Sequence, residues 1–194
     1  MTKVFFITHP EVDIDSQILI TEWELSARGT ERMYDMLKQK WVAEIKHVFA
    51  SDERKAKAAA EILARHLSLG FSIEAELGEN NRSSTGFLAP QEFEATADLF
   101  FAHPDQSIRG WETAKAAQSR IVRAVSSLME STPTGAIAIV AHGGVGALLL
   151  CWLKGVPISR LEDQPGQGHF FVFQRDSRQL LHGWRPIDAP RRPD

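Results

Sequence analysis

The stretch AIAIVAHGGVG, residues 136–146, decides how this chain is read. Its first six residues carry no polar side chain, and they end on His142, Gly143 and Gly144. An apolar run this short and continuous marks a strand buried on both faces of a parallel sheet. The glycines permit close backbone approach and open a helix running to about Lys154. The free N–H groups at such a helix start offer a seat for an anion.

Working outward, VFFITHPEVD, residues 4–13, repeats the device: an apolar run stops on His9, and Pro10 follows. Residues 3–8 and 46–50 are short, aromatic and β-branched, and read as strands. Between them LSARGTERMYDMLKQKW has Ser26 as a cap and Met33, Met36, Leu37 and Trp41 at helical spacing. Ser51 is the expected cap of the alanine-rich helix that ends near Gly70, and residues 72–76 form a short third strand. LGENNRSSTGFLAP is irregular, Pro90 starts a helix, HPDQSIRG is a loop, and residues 111–131 form another helix. GHFFVFQRDSRQLLHGW reads as two strands around an Asp176–Ser177 turn.

Strands and helices alternating in this order imply an α/β three-layer αβα sandwich. The central sheet is mostly parallel, with helices on both faces and an antiparallel edge. Residues 1–185 form a single domain, with 90–110 a possible cap segment and 186–194 a Pro/Arg-rich tail. Ligands of such sheets bind outside the carboxyl ends of the strands, where His9 and His142 both fall.

Composition narrows the function. The chain has 194 residues and a formal net charge of −3, which gives no electrostatic case for nucleic acid or an anionic membrane. The single cysteine, Cys151, excludes an internal disulfide framework and fits a reducing compartment. No apolar stretch reaches the ~18–20 residues of a membrane span, and no signal-type start is present, so a cytoplasmic protein is expected. Histidines at two strand ends beside an anion seat suggest phosphoryl transfer, in which an imidazole holds the phosphoryl group covalently. Such a site needs cations or N–H groups around the phosphate oxygens and an acid for the leaving group.

Five segments fall in a telling order: THP (8–10), LSARG (25–29), SDERKAKAAA (51–60), LGE (77–79) and AHGG (141–144). GWETAKAAQSR (110–120) adds a sixth. Together they resemble the histidine phosphatase superfamily, also called phosphoglycerate mutase-like, over residues 3 to about 155. The resemblance implies that His9 is the nucleophile, that His142 contacts the transferring phosphoryl group, and that Glu79 protonates the leaving group. It also implies departures. Thr8 stands where the family has a phosphate-clamping arginine, Pro10 replaces a glycine, Lys55 takes the place of a second arginine and Ala59 that of a threonine.

A charge-assisted hydrogen bond contributes about 1.5–3 kcal/mol, so losing one arginine weakens phosphate binding roughly 10- to 150-fold. Lysine keeps a charge but not the two-pronged geometry. Phosphate-binding groups are therefore expected at Lys55, Thr8, Gly143 and Arg82; Arg82 is preferred over Arg54 and Arg109 because its loop carries Glu79. The expected activity is hydrolysis of a phosphomonoester or phosphohistidine through a phosphohistidine on His9, without metal or cofactor. The partner is then a phosphorylated small molecule or phosphoprotein. The alternative is a weakened relative that binds a phosphorylated ligand without efficient turnover. Metal-dependent hydrolysis through His9, Glu11, Asp13 and His142 is a third possibility, but no HExxH or Cys/His zinc spacing supports it.

Overall fold

The computed structural model describes residues 2–188. Its centre is the apolar stretch itself, strand β4 (Ala136–Ala141). It lies between β1 (Lys3–Thr8) and β2 (Ile45–Ala50), parallel to both. A two-residue strand, β3 (Ser72–Ile73), pairs parallel with β2 at one edge. At the other edge β5 (His169–Gln174) runs antiparallel to β1, and β6 (Leu180–Pro186) antiparallel to β5. The sheet order is β3-β2-β4-β1-β5-β6.

Side chains alternate across a strand, so one short run feeds two cores. Ala138 and Val140 face one way, with Phe5 and Ile7 of β1, against α1 (Ala27–Met36) and α2 (Arg54–Leu67). Ile137, Ile139 and Ala141 face the other way, with Val4 and Phe6, against α4 (Ala114–Ser131) and α5 (Gly143–Lys154). Both isoleucines are fully buried, each stabilising the fold by about 1.5–3 kcal/mol. The result is the expected three-layer α/β architecture with an antiparallel edge. A third cluster joins Phe100 and Phe101 of α3 (Pro90–Ala102) to Trp111, Ala114, Ala147 and Leu148. Among the described residues, no helix is long and apolar enough to cross a membrane.

Local details depart from the sequence reading where tertiary partners compete. Ser26 caps α1 as expected, accepting the Gly29 N–H at 3.1 Å. Ser51 does not cap α2; the N-cap position is Glu53, which makes no side-chain cap bond. The Ser51 hydroxyl is taken instead by His142, 2.6 Å away. The expected strand at 72–76 stops after two residues because Ala75–Leu77 winds into a 3-10 turn. The fourth helix begins at Ala114 rather than 111, where the Thr113 hydroxyl accepts the Ala116 N–H at 3.1 Å.

The first residues of the expected 186–194 tail belong to the packed fold: Pro186 ends β6. Ile187 is buried, and Asp188 holds the Arg32 guanidinium with two hydrogen bonds of 2.8 Å; residues 189–194 lie outside the described residues. Arg32 also donates to Glu11 and to the carbonyls of Gln167 and Gly168. One side chain thus ties the segment after β1 to the segment before β5.

Candidate active site

Parallel pairing aligns the carboxyl ends of three strands. Thr8 pairs with Ala141 and Ala50 with Val140, so His9, Ser51 and His142 emerge side by side. The rings of His9 and His142 lie 5.3 Å apart, edge to face. The His9 backbone remains in the sheet pattern, its N–H donating to Ala141 and its carbonyl accepting from Gly168.

His9 Nδ1 lies 2.8 Å from the Pro10 carbonyl. A carbonyl only accepts, so Nδ1 carries the proton and Nε2 keeps a free lone pair. Burial, with the Lys55 ammonium adding to it, lowers the His9 pKa to about 4. At neutral pH this imidazole is uncharged and nucleophilic at Nε2. The residue that cannot donate a backbone hydrogen bond therefore supplies the acceptor that sets the tautomer.

His142 is fully buried, and burial lowers its pKa to about 3. Its Nε2 faces Ser51 Oγ at 2.6 Å and Glu53 Oε1 at 3.3 Å. Its Nδ1 is buried without a hydrogen-bond partner.

Glu53 went unnoticed in the sequence. It sits in the charged run SDERK between exposed Asp52 and Arg54, and nothing in that pattern distinguishes it. In the fold it is almost fully buried and ion-paired to Lys55, while its Oε1 accepts the Glu79 N–H at 2.9 Å. Burial pushes its pKa up, but the charges around it and these hydrogen bonds win, holding it at about 2. With His142 neutral above its own pKa, the Lys55 ammonium carries that effect at neutral pH. Lys55 also donates to the Ile20 carbonyl at 2.8 Å.

The anion seat at the start of α5 is occupied by the chain itself. Glu79 accepts the N–H groups of Gly144 and Val145 at 2.9 Å each, and that of Asn80 at 3.0 Å. A Cβ on Gly144 would stand 2.7 Å from Glu79 Oε1, and one on Gly143 would stand 2.3 Å from Gln164 Nε2, so a side chain at either position would displace the end of the Glu79 or Gln164 side chain. Arg120 fixes the Glu79 loop from behind, donating to the carbonyls of Glu76, Gly78 and Glu79 while paired with Glu112.

A cavity of about 290 Å³ opens over His9, bordered by Lys55, Glu79, Arg82 and Gly143 and walled by Phe93 and Trp111. An outer groove of about 940 Å³ adjoins it, and Ile20, Glu79, Asn80 and Arg82 border both spaces. Arg82 lies over the Phe93 ring, 4.8 Å from its centroid, and has no ion pair among the described residues. Thr8 is buried away from the cavity, its hydroxyl bonded to Gln164 and to the backbone of His169. His9, Glu79, Lys55, Arg82 and Gly143 are thus gathered at one cavity, whereas His142 packs against the His9 ring fully buried and does not border that cavity, and Thr8 lies beneath the rim. Among the described residues, no group of three or more His, Cys, Asp or Glu side chains is placed to hold a metal ion; Glu11 is engaged by Arg32.

The sequence matches the profile of the histidine phosphatase superfamily, branch 1, over residues 5–178. This chain belongs to that superfamily. The fold resembles that of mycobacterial glucosyl-3-phosphoglycerate phosphatase in complex with inorganic phosphate, with a TM-score of 0.79 at 18% identity, covering 98% of this chain and 100% of the other. Bacillus stearothermophilus YhfR gives 0.78 at 18% identity, covering 98% of each chain. The alpha-ribazole phosphatase of Shigella flexneri gives 0.75 at 21% identity, covering 97% of this chain and 96% of that one. At these identities the likeness is one of fold. No curated protein matches the sequence significantly.

Proposed function

We propose that this protein is a phosphatase of the phosphohistidine type, acting slowly on a phosphorylated small molecule or phosphoprotein. The observation that carries this reading is the His9 tautomer: a neutral imidazole, its Nδ1–H held by Pro10, bordering the inner cavity with Nε2 unprotonated. In the first step Nε2 forms a bond to phosphorus as the bond to the leaving oxygen breaks, and that oxygen takes its proton from the Glu79 carboxyl group. In the second step water attacks phosphorus, the P–N bond breaks, and the proton of the water returns to Glu79. Arg82 supplies the cation, with the Gly143 end of α5 beside it. Glu79 borders both spaces, which suits a phosphoryl group inside and a leaving group in the outer groove.

One observation favours the binding-only reading: Lys55, aligned with a family arginine, is neutralised by Glu53. Mass spectrometry after a rapid acid-free quench with a panel of phosphodonors separates the two. A phosphoryl group on His9, absent in His9→Ala, supports the phosphatase. Saturable phosphate binding without any such adduct overturns it in favour of binding alone. A reducing cytoplasmic setting is part of the same proposal, suggested by the single buried cysteine.

A further inference from the structure

Counting charges around the inner cavity gives an outcome that the family resemblance does not. Lys55, from the first turn of α2, is paired with Glu53. Arg160, from the turn before β5, is paired with Glu94 and Asp98 of α3 and lies 3.6 Å from Asp163. Glu79 brings a further carboxyl group, and His9 and His142 are neutral at pH 7. Arg82 is the cation left without an ion-pair partner among the described residues that border the cavity.

We infer that the cavity selects a phosphoryl group carrying a single negative charge and that Glu53 is the residue that sets this selection. The inference rests on the phosphoryl-binding reading above and narrows its substrate class to a phosphodiester, or a monoester in its protonated form. A doubly charged phosphoryl group has to draw Lys55 away from a buried carboxylate, or sit beside that carboxylate with its second charge unmatched. Either course costs affinity, because charges a few ångströms apart in a partly dry site interact strongly. A singly charged group matches Arg82 alone. Glu53 acts through Lys55 and is therefore a specificity-determining residue rather than a catalytic one.

Calorimetric binding of phenylphosphonate and of its monomethyl ester to the full chain tests this between pH 5.5 and 8.5. The phosphonate gains its second charge across that range, while the ester stays singly charged. The ester also reports any titration of the protein itself, including that of Asp163, whose pKa burial raises. His9 and His142, at about 4 and 3, keep one charge state throughout.

The expected result is that phosphonate affinity falls at least roughly tenfold as pH rises while ester affinity changes less than about threefold. In Glu53→Gln the phosphonate should recover that loss. The wild-type profile decides the charge selection even if Glu53→Gln fails to fold, and Lys55→Met, which removes the partner through which Glu53 acts, should then alter the phosphonate profile. Equal or tighter phosphonate binding at pH 8.5, an unchanged profile in a folded Glu53→Gln, or no binding of either probe overturns the inference. The expected pattern without any phosphoryl adduct on His9 would remove the phosphatase reading and leave the charge selection standing.

Discussion

Glu79 reaches from the loop after β3 to the start of α5, where its Oε2 accepts the Gly144 N–H at 2.9 Å. The carboxyl group proposed as the proton donor is therefore also the cap of the helix that follows His142. The two duties can be separated by substitution. Glu79→Ala removes the cap and should cost about 1–2 kcal/mol of stability. Glu79→Gln keeps an acceptor oxygen, so its stability should stay within about 0.5–1 kcal/mol of the parent while turnover falls by roughly 10²–10⁴. Denaturant midpoints and steady-state rates on one donor check both arms. A Glu79→Gln protein with undiminished turnover would remove Glu79 from the chemistry.

The buried imidazoles make the fold acid-sensitive. His9 and His142 have folded pKa values of about 4 and 3, against 6.5 for a free imidazole. The unfolded chain therefore binds more protons as pH falls below 6.5, and stability drops until the folded values are reached. Each imidazole removes up to about 1.4 kcal/mol per pH unit in that window, so the loss between pH 7 and 5 should be roughly 2–4 kcal/mol. Glu53 has the opposite sign of charge but the same consequence. Its pKa is lowered from 4.5 to about 2, so the stability it contributes is present above 4.5 and lost between 4.5 and 2. Urea midpoints at pH 7, 6 and 5 should decline, with a shallower slope in His9→Asn; a flat profile would contradict the burial of both rings as neutral groups.

Arg32 gathers Glu11, Asp188 and two carbonyls around its guanidinium, and its side chain is only 13% exposed. Its removal strands two carboxylates that are themselves partly solvated, so the expected loss is about 2–3 kcal/mol, below that of a fully buried pair. For a chain of this size that lowers Tm by roughly 5–10 °C. Arg32→Lys should recover only part of it, since a lysine cannot reproduce the fork against Asp188. A thermal scan of Arg32→Ala unchanged within a degree would show the cluster to be ornamental.

Arg160 latches α3 over the cavity through Glu94 and Asp98. Both partners are largely exposed, so Arg160→Ala should change global stability little. Locally, amide exchange in residues 90–102 should quicken several-fold, and KM for any donor should move more than kcat. Unaltered protection across α3 would mean that the Phe100 and Phe101 packing alone holds it in place.

The residues that needed only their neighbours in sequence to be understood were read correctly. AIAIVA could be nothing but a doubly buried strand, because six consecutive apolar side chains must cover both of its faces. Two histidines at two strand ends had to share a rim once those strands were parallel. Glu53 was different: its carboxylate becomes buried only because α2, the Glu79 backbone and His142 converge on it, and none of these is near it in the chain except the first. Ser51 lost its expected capping role for the same reason.

The sequence by itself thus determined the strand and helix order, the two histidines and the loop that brings Glu79 and Arg82, since hydrophobic period and glycine placement act over a few residues. Only the tertiary structure decided the charges at the site: which ammonium is neutralised, which carboxylate occupies the helix start, and which tautomer His9 keeps. Those outcomes depend on distances of about 3 Å that packing alone fixes, whether between neighbours such as His9 and Pro10 or between distant groups such as Glu79 and Gly144, and desolvation at such range outweighs any preference a residue shows on its own.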